Sequence, residues 1–159
     1  MLRAPKNHER AYLLKQAAST EPWKEGEAEE LLGGILEQYF SGQLPENHSV
    51  AVWDVETENH GVVGWSYFAP NMYADGVWDV WWIGVAIQMH GKGYGTQLLT
   101  AIESEISGKG GRIVVIETSS ADNLQKARRF YPKLGYAECG TIPHFYGKDE
   151  HKVIYSKQL

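Results

Sequence analysis

Gly91, Gly93 and Gly95 alternate with other residues in the run His90-Gly91-Lys92-Gly93-Tyr94-Gly95-Thr96, immediately ahead of a segment with helical spacing. Glycine reaches positive φ without penalty and leaves main-chain N–H groups uncovered. A helix that starts at once adds its unpaired N–H groups and the positive end of its dipole. Such a junction captures anions, phosphate above all. The Thr96 hydroxyl offers one more donor, and Lys92 belongs in solvent or beside a phosphate. Two rival phosphate loops fit badly. A P-loop needs Gly-Lys followed by Ser or Thr, whereas Lys92 is followed by Gly93; a dinucleotide fingerprint needs its third glycine one residue later than Gly95. With 17 Gly in 159 residues the bare spacing arises by chance in roughly one chain in five, so the flanking elements must decide.

Those elements are favourable. Trp81-Trp82-Ile83-Gly84-Val85-Ala86-Ile87 is an apolar, β-rich run that leads into the turn. From Thr96 onward, Leu98, Leu99, Ile102 and Ile106 recur at helical spacing. Upstream, residues 8–18 read as a short helix with Tyr12, Leu13 and Ala17 on one side, broken at Thr20-Glu21-Pro22. Residues 24–40 read as a second helix with the stripe Leu31, Leu32, Ile35, Leu36 and Phe40. Strands at 49–53 and 62–68 flank a turn at Glu56–Gly61 and form a hairpin, and 70–76 is a loop. Downstream come a central strand at 112–118, a last helix at 124–134, extended chain from Gly135-Tyr136, and a closing strand at Val153-Ile154-Tyr155. The order predicts one α/β (α+β) domain: a mixed central sheet of about six to seven strands with flanking helices, and a parallel pair joined through the glycine-loop helix.

Bulk properties narrow the function. The hydrophobic share of 43% supplies a core, and the formal charge of −5 argues against nucleic acid, which asks for a basic footprint. The lone Cys139 excludes an intrachain disulfide framework and suits a reducing compartment. There is no apolar run of about 20 residues and no apolar leader, so a cytoplasmic protein without a membrane span is expected. The six His and one Cys lack metal-ligand spacing, so no metal is expected.

The strand, the His90-Gly91-Lys92-Gly93-Tyr94-Gly95 turn and the helix together resemble motif A of the GNAT family of N-acetyltransferases. Its signature, [Q/R]-x-x-G-x-[G/A], is met with His90 in the first position instead of Gln or Arg. Asn123, Ala127 and Phe130-Tyr131-Pro132-Lys133-Leu134-Gly135-Tyr136 resemble motif B, with one residue more between Asn and Tyr than is usual. The tail from Ile142-Pro143-His144-Phe145-Tyr146 to Lys152-Val153-Ile154-Tyr155 is similar to a bacterial branch. The resemblance covers about residues 49–159. Residues 1–48 share only helical character, and in the family they shape the acceptor side.

The resemblance implies acetyl-CoA as co-substrate and direct transfer of its acetyl group to a primary amine. The N–H groups of Gly91, Gly93, Tyr94, Gly95 and Thr96 would hold the pyrophosphate, with His90 and Lys92 beside them and Asn123 as a further contact. Backbone from Ile83 to Ile87 would run beside the pantetheine arm, and the Val85 N–H would face the thioester oxygen. Tyr131 is the candidate general acid, since a phenol with an ordinary pKa of about 10 suits protonation of a thiolate. It is equally an aromatic anchor for the last helix. Asp79 lies an even number of residues before Val85, on the same strand face if alternation holds, and is the candidate base; Glu117 competes with it. Either acid also serves as a salt-bridge or cap residue. Trp65, Tyr67, Tyr73, Trp81, Trp82, Phe145 and Tyr146 are core or acceptor-facing aromatics. His144 is a base, a pocket liner or an exposed loop residue. Lys126, Arg128 and Arg129 form a solvated face from which one arginine meets the coenzyme's 3′-phosphate. The acceptor is a small-molecule or peptide amine, the protein a monomer or homodimer. A non-catalytic acyl-CoA sensor on the same scaffold and a nucleotide-phosphate binder are the alternatives.

Overall fold

The computed structural model describes residues 1–20, 23, 26–57 and 60–159. Seven strands form one sheet in the order β1-β2-β3-β4-β5-β7-β6. The chain divides into two compact units, Met1–Ala69 with Trp82–Ile102, and Pro70–Trp81 with Glu103–Leu159.

The first unit holds β1 (Leu2–Arg3), α1 (Arg10–Thr20), α2 (Glu27–Phe40), β2 (Ser49–Thr57), β3 (His60–Pro70), the end of β4 (Val77–Val85) and the start of α3 (Tyr94–Gly108). The expected break after Thr20 and the start of the second helix involve Glu21, Pro22, Lys24 and Glu25, outside the described residues, as are Glu58 and Asn59 of the expected turn. In α2 the buried residues are Ala28, Leu32 and Leu36, a strict i, i+4, i+8 line. Leu31, expected in that stripe, is instead 53% exposed, because one position of rotation carries it past the edge of the face. From α1, Leu13 and Ala17 are buried, whereas Tyr12 sits at the rim and donates its hydroxyl to the Val62 carbonyl. The core forms where these helices meet β2 and β3. Trp65, paired with Val52 across the antiparallel ladder, is fully buried and donates its indole N–H to the Leu13 carbonyl at 3.1 Å. Trp82 stacks at a tilt between Trp65 and Trp23. Gly64 permits close backbone approach, since a Cβ there would lie 2.7 Å from the Gly84 carbonyl oxygen. The two-residue β1, which the sequence did not reveal, pairs with Val52 and Trp53.

The second unit holds the start of β4, the end of α3, β5 (Ile113–Ser119), α4 (Gln125–Lys133), β6 (Ala137–Gly147) and β7 (Glu150–Gln158). β4 and β5 are parallel, in register from Val77↔Ile113 to Val80↔Ile116. β7 runs antiparallel to both β5 and β6. Trp78, Val80, Val114 and Ile116 alternate inward, and Asp79 and Glu117 take the other parity. The turn into β5 needs Gly111, where a Cβ would fall 2.2 Å from Ile106 and 2.9 Å from Trp78.

One buried carboxylate ties this unit together. Glu103 accepts the Tyr136 hydroxyl at 2.8 Å and the Lys157 ammonium at 2.7 Å. Burial and the adjacent Glu103 charge hold the Tyr136 phenol far above its ordinary value. Glu103→Ala strands both donors and is expected to cost about 2–3 kcal/mol, below the range for a fully buried pair because Lys157 turns to water. A urea titration checks this, and an unchanged midpoint refutes it. Because the Tyr136 proton is held more tightly in the fold than in the unfolded chain, stability is complete below about pH 10 and lost as pH rises above it.

Candidate active site

The glycine turn lies wholly in the first unit. β4 ends at Val85, a short 3-10 turn spans Ile87–Met89, and α3 begins at Tyr94, two residues before the expected start. Gly91 and Gly93 have φ of 76° and 81°, the left-handed conformation their spacing predicted. A Cβ at Gly91 would meet nothing within 4 Å, and one at Gly93 only the Gln97 side-chain nitrogen at 3.9 Å. The first helical bond runs from the Gln97 N–H to the Gly93 carbonyl, so the N–H groups of Tyr94, Gly95 and Thr96 precede the ladder. The two glycines are therefore uncrowded, and the first N–H groups of α3 lie ahead of its ladder. His90 donates from Nε2 to the Val85 carbonyl at 2.8 Å, which ties the turn to the strand that feeds it. Lys92 folds back to the Met89 sulfur. Val85 and Tyr94 pack against the cluster of Val63, Ala86 and Met89; Ile83 is half-buried and Ile87 exposed.

The candidate acids lie in the second unit. Asp79 is half-buried and accepts a hydrogen bond from the Asn71 amide at 2.9 Å. Burial raises its pKa; the Asn71 bond opposes this, and the nearby Glu117 charge adds to it. Glu117 is exposed and paired with Lys152, whose ammonium lies 3.8 Å from the Phe145 ring centroid. Asp79 and Glu117 thus share one neighbourhood, but their surroundings differ: Glu117 has a cation, and Asp79 has a neutral amide in a drier place. Tyr131 is 6% exposed and packs between Tyr136 and Tyr155. Its position meets the demands of an aromatic anchor in full. Asn123 is exposed in the 3-10 turn Asp122–Leu124 ahead of α4. Arg128 is not part of a solvated face: it donates to the Ser119 and Ala121 carbonyls and closes the β5–α4 loop. Sequence reading missed Lys152 and Asn71. No signal along the chain marks Lys152: it shares the face of Glu117 only through the β5–β7 register, in which Ile154 pairs with Glu117. Asn71 carries the weak signal of an Asx turn, its side chain accepting the Tyr73 N–H. Among the described residues no group of His, Cys, Asp and Glu is arranged to hold a metal, and no helix is long and apolar enough to cross a membrane.

The acetyltransferase (GNAT) family matches residues 8–136, which include the glycine turn, both acids and Tyr131. The chain belongs to the GNAT family. Its enzyme type is that of an N-acetyltransferase. By sequence alone, no curated protein matches it. By structure, this GNAT chain is similar to a GNAT-family protein from Desulfovibrio desulfuricans, with TM-score 0.88 and 22% identity over 99% of this chain and 98% of that one. It is also similar to an aminoglycoside 6′-N-acetyltransferase complexed with coenzyme A, with TM-score 0.75 and 18% identity over 99% and 96%. A third is the ribosomal-protein-S18-alanine N-acetyltransferase of Escherichia coli, with TM-score 0.70 and 15% identity over 99% and 92%. At these identities the likeness carries the fold, and the motifs carry the chemistry.

Proposed function

We propose that this GNAT enzyme transfers the acetyl group of acetyl-CoA to a primary amine by direct attack, as one domain acting in the cytoplasm with residues 1–48 on the acceptor side. The observation that carries the reading is the open pair of positive-φ glycines, Gly91 and Gly93, at the start of α3. Acetyl-CoA supplies an activated thioester. The amides of residues 91–96 hold its pyrophosphate. The Val85 N–H polarises the thioester oxygen, a contribution of about 3–4 kcal/mol for a donor of this kind. Asp79 takes the proton of the attacking amine, directly or through one water, and Tyr131 returns a proton to the departing thiolate. Asp79 is preferred to Glu117 because among the described residues no salt bridge pairs it with a cation and its pKa is displaced toward neutrality.

The test is an assay of free thiol released from acetyl-CoA across a panel of amines, with coenzyme A binding measured in parallel by thermal shift. Thiol release with at least one amine supports the reading; binding without release from any amine supports a sensor. ATP that competes with coenzyme A would instead point to a nucleotide site. Tyr131→Phe is expected to lower kcat by about 100-fold with coenzyme A affinity unchanged. Full turnover in that variant removes Tyr131 from the chemistry and leaves it the packing role its burial already meets.

A further inference from the structure

Two imidazoles fix the hairpin between β6 and β7. His144 interrupts β6 with φ of 55°, uncommon for a side-chain-bearing residue, and its N–H donates to His151 Nδ1 at 2.9 Å. The Asp149 N–H, from a residue with φ of 63°, donates to His144 Nδ1 at 3.0 Å. The two rings meet edge to face at 5.1 Å, and the His151 N–H is anchored on the Ser120 hydroxyl at 2.8 Å. A ring nitrogen that accepts an N–H carries no proton, so both imidazoles are neutral with the proton on Nε2. Directly beyond His144 stand Phe145 and Tyr146, 50% and 40% exposed, with the Lys152 ammonium over the Phe145 ring and bonded to Glu117.

We propose that His144 and His151 are positioning residues for amine binding: as neutral rings they hold the hairpin so that Phe145, Lys152 and Glu117 keep their arrangement beside Asp79, and protonation of either ring releases it. This rests on the acetyl-transfer reading above. Protonation of either ring removes the acceptor of one N–H group, and protonation of both also brings two like charges together. The charged groups around the pair do not reverse this. Asp149 lies 3.8 Å from His144 Nδ1 and favours the cation, but as an exposed pair it is worth less than the bonds lost. Lys148 precedes Asp149 in the turn, the Lys152 ammonium is held by Glu117, and Arg128 is held by the Ser119 and Ala121 carbonyls. Glu150 is engaged by Ser119, and Glu117 by Lys152. Release therefore follows protonation of a ring nitrogen that now accepts a backbone N–H.

The experiment is an NMR titration of the isotope-labelled full chain from about pH 8 to about pH 5.5, with the KM for one amine substrate measured over the same range. The His144 and Asp149 amide resonances are expected to move with the imidazole titration. Acceptor KM, corrected for protonation of the amine, should rise about fivefold while acetyl-CoA KM holds. The double variant His144→Asn/His151→Asn keeps an oxygen acceptor near each Nδ1 position and tolerates the left-handed backbone at 144, but does not titrate. It should flatten both responses. Amides indifferent to the imidazole titration overturn the proposal, as does a KM response that persists in the variant. Amide movement without any change in acceptor KM overturns the positioning role. If no amine is acetylated, the functional reading fails, and the amide titration alone still decides whether the latch exists.

Discussion

Gly93→Val is expected to raise the dissociation constant for coenzyme A by more than about 100-fold while the protein stays folded. Gly93 sits at φ of 81°, where a β-branched residue is strained by about 1–2 kcal/mol or more. A Cβ there meets almost nothing of the protein itself. The substitution therefore costs modest stability, about 2–8 °C in Tm for a chain of this size. Its main effect is expected on the ligand, because the new side chain would occupy the space proposed for the phosphates and crowd the neighbouring amides. Calorimetric titration with coenzyme A beside a melting curve separates the two effects. Unchanged affinity in a folded variant would remove the glycine turn as the anchor. Gly111→Ala is the internal contrast: a Cβ 2.2 Å from Ile106 acts on folding and has no route to the ligand.

The second large effect belongs to Asp79. Asp79→Asn is expected to lower kcat/KM by about 10²–10⁴-fold, the range for loss of a general base. The pH profile carries the finer test. A base must be ionised, and burial, with the Glu117 charge adding to it and the Asn71 bond opposing it, raises the Asp79 carboxyl above its ordinary value. Activity should thus rise with pH through that displaced value, and this limb should vanish in the variant. Stability moves the other way. The folded state holds the Asp79 proton more tightly than the unfolded chain does, so this group's contribution is present below the ordinary carboxyl value and lost as pH rises through the folded one. At neutral pH Asp79→Asn should be no less stable than the parent, because an amide is cheaper to bury than a carboxylate. A variant that loses activity only by unfolding would remove Asp79 as the base. Glu117→Gln, already neutralised by Lys152, is expected to have the smaller effect.

The parts legible in the sequence were those that local chemistry dictates. Positive φ at Gly91 and Gly93 followed from residue type, and the parallel strand pair followed from a helix set between two apolar runs. The acids at 79 and 117 were visible because acidic side chains interrupt apolar strands. Hidden features depend on long-range register. Lys152 reaches Glu117 only because β7 inserts between β5 and β6, and no spacing along the chain announces that order. The histidine pair is hidden for the same reason, since each ring is useful only once the hairpin has closed. Leu31 shows the limit of periodicity: the stripe was correct, but its width was not. Arg128 shows that a charge on a helix face is often employed by the nearest loop.

The bond from His90 to the Val85 carbonyl has a mechanical implication. Where relatives of this family carry a long, pliant Gln or Arg, this chain has a short, flat ring with two rotatable bonds, which acts as a strut between the turn and the end of the strand. A ligand seated on the turn, as proposed, would be coupled through this bond to Val85, whose amide is proposed to face the thioester. A turn tied down in this way before a ligand arrives should lose less freedom on binding, so affinity should rest more on the fit of the phosphates themselves.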